Sequence, residues 1–200
     1  MRNRDLDISF DFAVGEIKFR PKVVIKNVSE ADIRRVGERA LENLVFHLGL
    51  AEMPSYWKAT ASPKIIIEAG SLDTAQINWL HDLFMRGMGQ YFYENKIDFT
   101  KPNFLTIMSK GDAMYEVRPR TSRVKEGIVI PIGGGKDAIV TYEILKRAGW
   151  EIRPFVLNPK REQLAILRIA GENNPIIVER TIDPKLLGEV EQKMSELNMA

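Results

Sequence analysis

The sequence predicts an α/β protein, an N-terminal α+β region followed by a parallel-sheet domain. Three observations predict this class. Apolar and polar residues alternate at the N-terminus, as in a half-buried strand. Two stretches between residues 30 and 95 carry apolar residues at helical spacing. Beyond residue 127, short apolar runs alternate with amphipathic helices, which calls for parallel strands joined by crossover helices.

The elements follow in order. Leu6, Ile8, Phe10, Phe12 and Val14 define a strand, Gly15 marks a turn, and Ile17 and Phe19 begin a return strand, so a hairpin is expected. Ser29-Glu30-Ala31-Asp32 has the form of a capping box, with Asp where Glu is usual. Ile33, Val36, Ala40, Leu41, Leu44, Val45 and Leu48 recur at helical spacing, and Gly49 is read as the stop. Pro54 to Pro63 reads as a loop, and Ile65-Ile66-Ile67 as a short strand. Asp73 is placed to cap a second long helix carrying Ile77, Leu80, Phe84, Met88 and Phe92. Met88, Tyr91, Phe92 and Tyr93 read as core. The stretch from Phe99 to Lys125, with Pro102, Gly111 and Pro119, reads as irregular and sets a domain boundary near residue 120.

After that boundary Ile128-Val129-Ile130 reads as a buried strand and Asp137–Ala148 as a helix ended by Gly149. Ile152–Leu157 is a second strand, although Pro154 favours an edge or entry position. Lys160–Ala170 is a helix closed by Gly171, and Ile176–Val178 is a third strand. Asp183-Pro184 caps a last helix lined by Leu186, Leu187, Val190, Met194 and Leu197.

Composition excludes several chemistries. With no cysteine, disulfides, thiolate metal sites and cysteine nucleophiles or proton carriers are absent. The two histidines, His47 and His81, fall within amphipathic helices and read as structural. The net charge of +2 is evenly interspersed, so no nucleic-acid groove is expected. Arg118, Arg120, Arg123 and Lys125 form one basic cluster, read first as a solvated loop and second as a contact for a polyanion. No apolar run is long enough for a membrane span or signal peptide, so a cytoplasmic protein is expected.

Gly133, Gly134 and Gly135 lie between a strand and a helix start. Glycines there bring backbone N–H groups close to a ligand, and the helix turns its positive end to the same point. The combination describes an anion site, most simply for phosphate. A Walker A loop fails, because Asp137 follows Gly135-Lys136 and Ile130 occupies the first glycine position. A dinucleotide fingerprint is met by Gly133, Gly135 and Ala138, but the second strand ends in Leu157-Asn158 without its acid. Ile132-Gly133-Gly134-Gly135-Lys136-Asp137-Ala138 resembles a pyrophosphatase loop (PP-loop), which holds the β,γ-phosphates of ATP during adenylyl transfer. Ala138 departs from that pattern, which usually has a hydroxyl there.

Further segments resemble one family. They are Phe46-His47-Leu48-Gly49-Leu50, Pro54-Ser55-Tyr56-Trp57-Lys58-Ala59, Ile67-Glu68-Ala69-Gly70, Pro131–Asp137 and Arg180-Thr181-Ile182-Asp183-Pro184-Lys185-Leu186-Leu187. The chain resembles the N-terminal portion of the UDP-N-acetylmuramoyl-L-alanyl-L-glutamate epimerases, the MurL family. The resemblance implies an adenine nucleotide α-hydrolase-like (PP-loop) domain, incomplete at its C-terminus, because the family's chains continue beyond this one. It implies residues 1–120 as an α+β region with a substrate-binding part, and 121–200 as the ATP-binding domain. It also implies ATP-dependent epimerisation of the terminal L-glutamate of the UDP-muramoyl dipeptide to D-glutamate through an acyl-adenylate, in peptidoglycan precursor synthesis.

The nucleotide candidates are Gly133, Gly134, Gly135, Lys136, Asp137 and Ala138, with Asp137 able to meet phosphate only through Mg2+. Asn158 is placed either to reach adenosine or to form the turn before Pro159. Tyr56, Trp57 and Lys58 would stack on uracil and meet phosphate, or pack on the core. Glu68, after three isoleucines, is the weak candidate for the proton-transferring base. ATP, Mg2+ and the UDP-muramoyl dipeptide are the expected ligands, and a C-terminal portion or subunit the expected partner. The alternatives are another adenylating PP-loop enzyme, such as a carboxylate–amine ligase, and a nucleotide-binding fragment without turnover of its own.

Overall fold

In the computed structural model, residues 4–115 and 127–188 are described. The chain opens with strand β1 (Arg4–Ser9), hairpin strands β2 (Phe12–Val14) and β3 (Ile17–Phe19), and β4 (Lys22–Val28). Helices α1 (Glu30–Val36) and α2 (Glu38–Trp57) precede β5 (Lys64–Ile67), α3 (Thr74–Gly87), α4 (Gly89–Glu94) and β6 (Thr106–Ser109). The rest alternates: β7 (Ile128–Pro131), α5 (Lys136–Arg147), β8 (Ile152–Leu157), α6 (Arg161–Ile169) and β9 (Ile176–Thr181). These elements divide into two compact units that interleave in sequence. The boundary expected near residue 120 lies in 116–126, outside the described residues.

The first unit takes 4–9, Pro21–Arg35 and 127–182. Its five-stranded mixed sheet runs β1-β4-β9-β8-β7. As the strand–helix alternation predicted, β7, β8 and β9 are parallel with α5 and α6 as crossovers. The N-terminal alternation had pointed only to a hairpin. In the structure β1 pairs with β4 instead, and β4 adds antiparallel to β9. Ile130, Ile132, Tyr142, Val156 and Leu167 form the buried cluster between the sheet and its helices.

Two prolines sit in this sheet without disrupting it. Pro131 is on the edge strand β7, whose bonds to β8 are made by neighbouring residues, as in Ile132 N–H to Phe155 C=O at 2.8 Å. Pro154 is fully buried on the interior strand β8. The β8–β9 ladder begins one residue later, at Phe155↔Ile176, so the missing N–H lies ahead of it.

The second unit takes Phe10–Arg20, 36–115 and 183–188. It contains the β2–β3 hairpin, as predicted around Gly15, and a parallel β5–β6 pair. The stretch read as irregular after Phe99 therefore includes a strand, in register Ile65↔Ile107. Phe46, Met53, Trp57, Leu80, Phe84 and Phe92 build the core with both strands. Asp73 caps α3 with a complete capping box to Gln76, and Ser29 exchanges the equivalent bonds with Asp32 at the start of α1. The long helix expected from Asp73 breaks at Met88, and Tyr93 is 87% exposed rather than core.

Two further expectations are corrected on α2. Gly49 does not stop a helix, because α2 continues through it to Trp57. A Cβ on Gly49 would lie 3.0 Å from the Phe10 ring, so the glycine serves a close approach. Pro54 also lies inside α2, so the first four residues of the expected loop from Pro54 to Pro63 are helix. A proline in a helix interior costs ~3 kcal/mol. Burial of Phe46, Met53 and Trp57 on one face, at ~1.5–3 kcal/mol each, offsets that cost.

Candidate functional site

The glycine loop forms at the C-terminal end of β7. Ile132 is buried and anchored, and the chain then emerges at Gly133, Gly134, Gly135, Lys136 and Asp137, all exposed. Gly134 adopts φ 93°, a conformation that disfavours a side chain. Gly135 is the N-cap of α5 with φ −79° and ψ 159°, and no side chain caps the helix there. The first N–H groups of α5 therefore lack a side-chain cap and form the positive end of the helix dipole. A Cβ added at Gly133 or Gly135 would meet nothing within 4 Å, so the loop borders open space. Backbone donors, a helix N-terminus and the exposed Lys136 in one short arc can take an anion.

Asp137 and Ala138 bear differently on this arc. Asp137 is an exposed acid in the first turn of α5, where it also stabilises the helix dipole. Ala138 is half-buried and packs on the Ile130–Leu167 cluster, so its side chain belongs partly to the core. Among the described residues, no group of three or more His, Asp or Glu could hold a metal ion.

A residue that the sequence reading passed over supports the loop. Gln163, in the first turn of α6, is buried at 9% exposure. Its Oε1 accepts from the Lys160 N–H at 2.7 Å, and its Nε2 donates to the Ile132 carbonyl at 3.4 Å. A Cβ on Gly134 would come within 3.4 Å of the same Nε2. The sequence signal was a Gln on the apolar stripe that also carries Leu164, Leu167 and Ala170.

Asn158 follows β8 at φ 47°. Its Nδ2 donates to the Arg180 carbonyl at 3.0 Å and its Oδ1 accepts from the Arg180 N–H at 2.7 Å. Both ends of the side chain thus fasten the end of β8 to β9.

The substrate candidates fall in the second unit. Tyr56 and Trp57 are 1% and 4% exposed, so neither ring offers a face for stacking on uracil. Tyr56 packs at 5.0 Å from Phe12 and accepts the Asp183 N–H on its Oη at 3.0 Å. Trp57 meets Phe84 edge-on at 5.0 Å and donates its Nε1–H to the Ser62 carbonyl at 2.8 Å. These are core roles, because each polar tip has found a protein partner. Lys58 is exposed and borders a depression of about 300 Å³ with Gln90, Tyr91 and Glu94. The Tyr91 hydroxyl donates to the Lys58 carbonyl at 2.8 Å, and burial raises its pKa.

Glu68 follows β5 with an exposed side chain, so the apolar enclosure that suggested a base is not present. His47 meets the Asn43 carbonyl within α2, at 2.9 Å, and His81 lies exposed on α3. The basic cluster from Arg118 to Lys125 lies outside the described residues. No helix among those residues is long and apolar enough to cross a membrane.

Asp183 gained a larger role than the cap expected of it. Its buried carboxylate accepts the Arg20 N–H at 2.6 Å and the Lys185 N–H at 3.0 Å. The Arg20 bond, chiefly, holds its pKa below the usual carboxylate value.

The sequence pattern of the MurL N-terminal domain matches residues 2–196. A curated UDP-N-acetyl-alpha-D-muramoyl-L-alanyl-L-glutamate epimerase of a Micromonospora strain is 29% identical over 187 residues, covering 88% of this chain and 39% of its own length. The protein of the same name from Salinispora tropica is 28% identical, with 88% and 38% covered. A third of that name, from Xanthomonas oryzae pv. oryzae, is 27% identical over 95 residues. The chain thus spans 39% or less of the curated relatives it matches. No solved structure matches it.

Proposed function

Since the chain belongs to the MurL family as its N-terminal domain, we propose that it is the nucleotide-handling part of an ATP-dependent UDP-muramoyl-dipeptide epimerase. The observation that carries this reading is the exposed glycine loop at the start of α5, whose open helix N-terminus and Lys136 suit a phosphate chain. The names of the relatives supply the substrate, UDP-N-acetyl-alpha-D-muramoyl-L-alanyl-L-glutamate. The likeness of the loop to pyrophosphatase loops supplies the reaction type.

Inverting the α-carbon of a glutamate requires removal of its α-proton. A free carboxylate opposes this, because its charge disfavours a second negative charge beside it. ATP, arriving with Mg2+, supplies an adenylyl group that neutralises the carboxylate. The residues of this chain would act at the other end of that transfer. N–H groups from Gly133 to Asp137 and the Lys136 ammonium offset the charge growing on the departing pyrophosphate. Asp137 would meet the phosphates only through the metal ion. The proton-transferring base is assigned to the part of the family outside this chain, since exposed Glu68 lacks the setting for it.

Protein from the complete gene, given ATP, Mg2+ and the L,L-dipeptide substrate, is expected to release AMP and pyrophosphate in step with the D-epimer. Absence of AMP with that substrate would sink the proposal, and release with other carboxylates alone would favour a ligase.

A further inference from the structure

In the sheet unit, Gln163 is the one buried polar side chain among the described residues. Burying an amide without partners costs free energy, and an apolar residue would fill the α6 stripe at no such cost. The Gln163 amide is satisfied at both ends, and its partners belong to different elements. Lys160 precedes α6, whereas Ile132 is the last buried residue before the glycine loop. The orientation of the amide follows from these partners, since a backbone N–H requires the oxygen and a carbonyl requires the nitrogen.

Gly134 completes the arrangement. Its φ of 93° turns the backbone over the Gln163 side chain, and a Cβ would approach Gln163 Nε2 and Cγ at 3.4 and 3.5 Å. The loop therefore rests on Gln163, which takes up the Ile132 carbonyl from beneath. Gly133, Gly134 and Gly135 themselves are exposed.

We propose that Gln163 is the positioning residue of the phosphate loop, fixing its backbone from the start of α6 so that its N–H groups converge on a bound phosphate chain. This rests on the phosphate reading of the loop given above.

The test titrates pyrophosphate with Mg2+ into the 200-residue chain and into Gln163→Met and Gln163→Glu, with thermal midpoints measured alongside. The first variant keeps the volume and removes both bonds. The second keeps the acceptor for Lys160 but cannot donate to Ile132, and brings a negative charge beneath the anion. Loss of one or two bonds corresponds to about tenfold weaker binding. The expected order of affinity is native chain, then Gln163→Met about tenfold weaker with a modestly lowered thermal midpoint, then Gln163→Glu weaker still. In the native chain, the side-chain amide signals of Gln163, identified by their loss in either variant, are expected to shift as pyrophosphate is added. Unchanged affinity in the variants, or amide signals that stay in place while pyrophosphate binds, would overturn the positioning role alone. Failure of the native chain to bind pyrophosphate would overturn the phosphate reading and this inference with it. Should Gln163→Met not fold, the Gln163→Glu affinity and the native amide signals decide.

Discussion

Asp183 and Gly134 show how single residues carry the two units. The Asp183 carboxylate takes the Arg20 and Lys185 N–H groups, and its lowered pKa follows first from the Arg20 bond. Its folded pKa lies below the unfolded value, so its stabilisation is present above the unfolded carboxylate pKa and lost as pH falls through the folded one. Asp183→Asn is therefore expected to lower the urea midpoint at pH 6 and to converge with the native chain in acid below the lowered folded pKa, since the native bond fades there. A gap of constant size at both pH values would contradict the role given to the carboxylate. Gly134→Ala would place a side chain at φ 93° and against Gln163. A loss of roughly 1–2 kcal/mol in chemical unfolding is expected, accompanied by weaker pyrophosphate binding. The need for glycine was legible in the run Gly133-Gly134-Gly135. Gln163 was not, because a polar residue on an apolar helix stripe looks like a tolerated exception until its partners are seen.

At the scale of elements, local signals located starts better than stops. The boxes at Ser29 and Asp73 rest on bonds between residues three apart, so sequence spacing suffices to find them. Ends depend on what the rest of the chain packs against. Gly49 and Pro54 read as terminators, yet α2 runs through both because Phe46, Met53 and Trp57 bury along one side of it. Strand β6 escaped notice for the same reason, since its pairing partner β5 lies some forty residues earlier. The account of Trp57 as core gives a direct expectation. Trp57→Ala should destabilise the chain by about 3–5 kcal/mol in urea unfolding. A stable Trp57→Ala chain would return this ring to the list of groups free to meet a substrate.

For the whole molecule, the βαβαβ stretch was legible because its alternation of short apolar runs and helices leaves few topologies open. The addition of β1 and β4 to the same sheet was not, since antiparallel pairing across more than a hundred residues leaves no local mark. The glycine run was legible in place, between β7 and α5. The substrate residues were not, because Tyr56-Trp57-Lys58 marks family likeness while packing decides that two of the three are buried. Family membership and the loop together make ATP binding the central claim for this chain. Calorimetric titration of ATP with Mg2+ into the native chain and Lys136→Ala tests it most directly. The account predicts saturable binding by the native chain and binding at least about tenfold weaker in the variant, from loss of a charge-assisted contact. Equal binding by both, or none by the native chain, would contradict it.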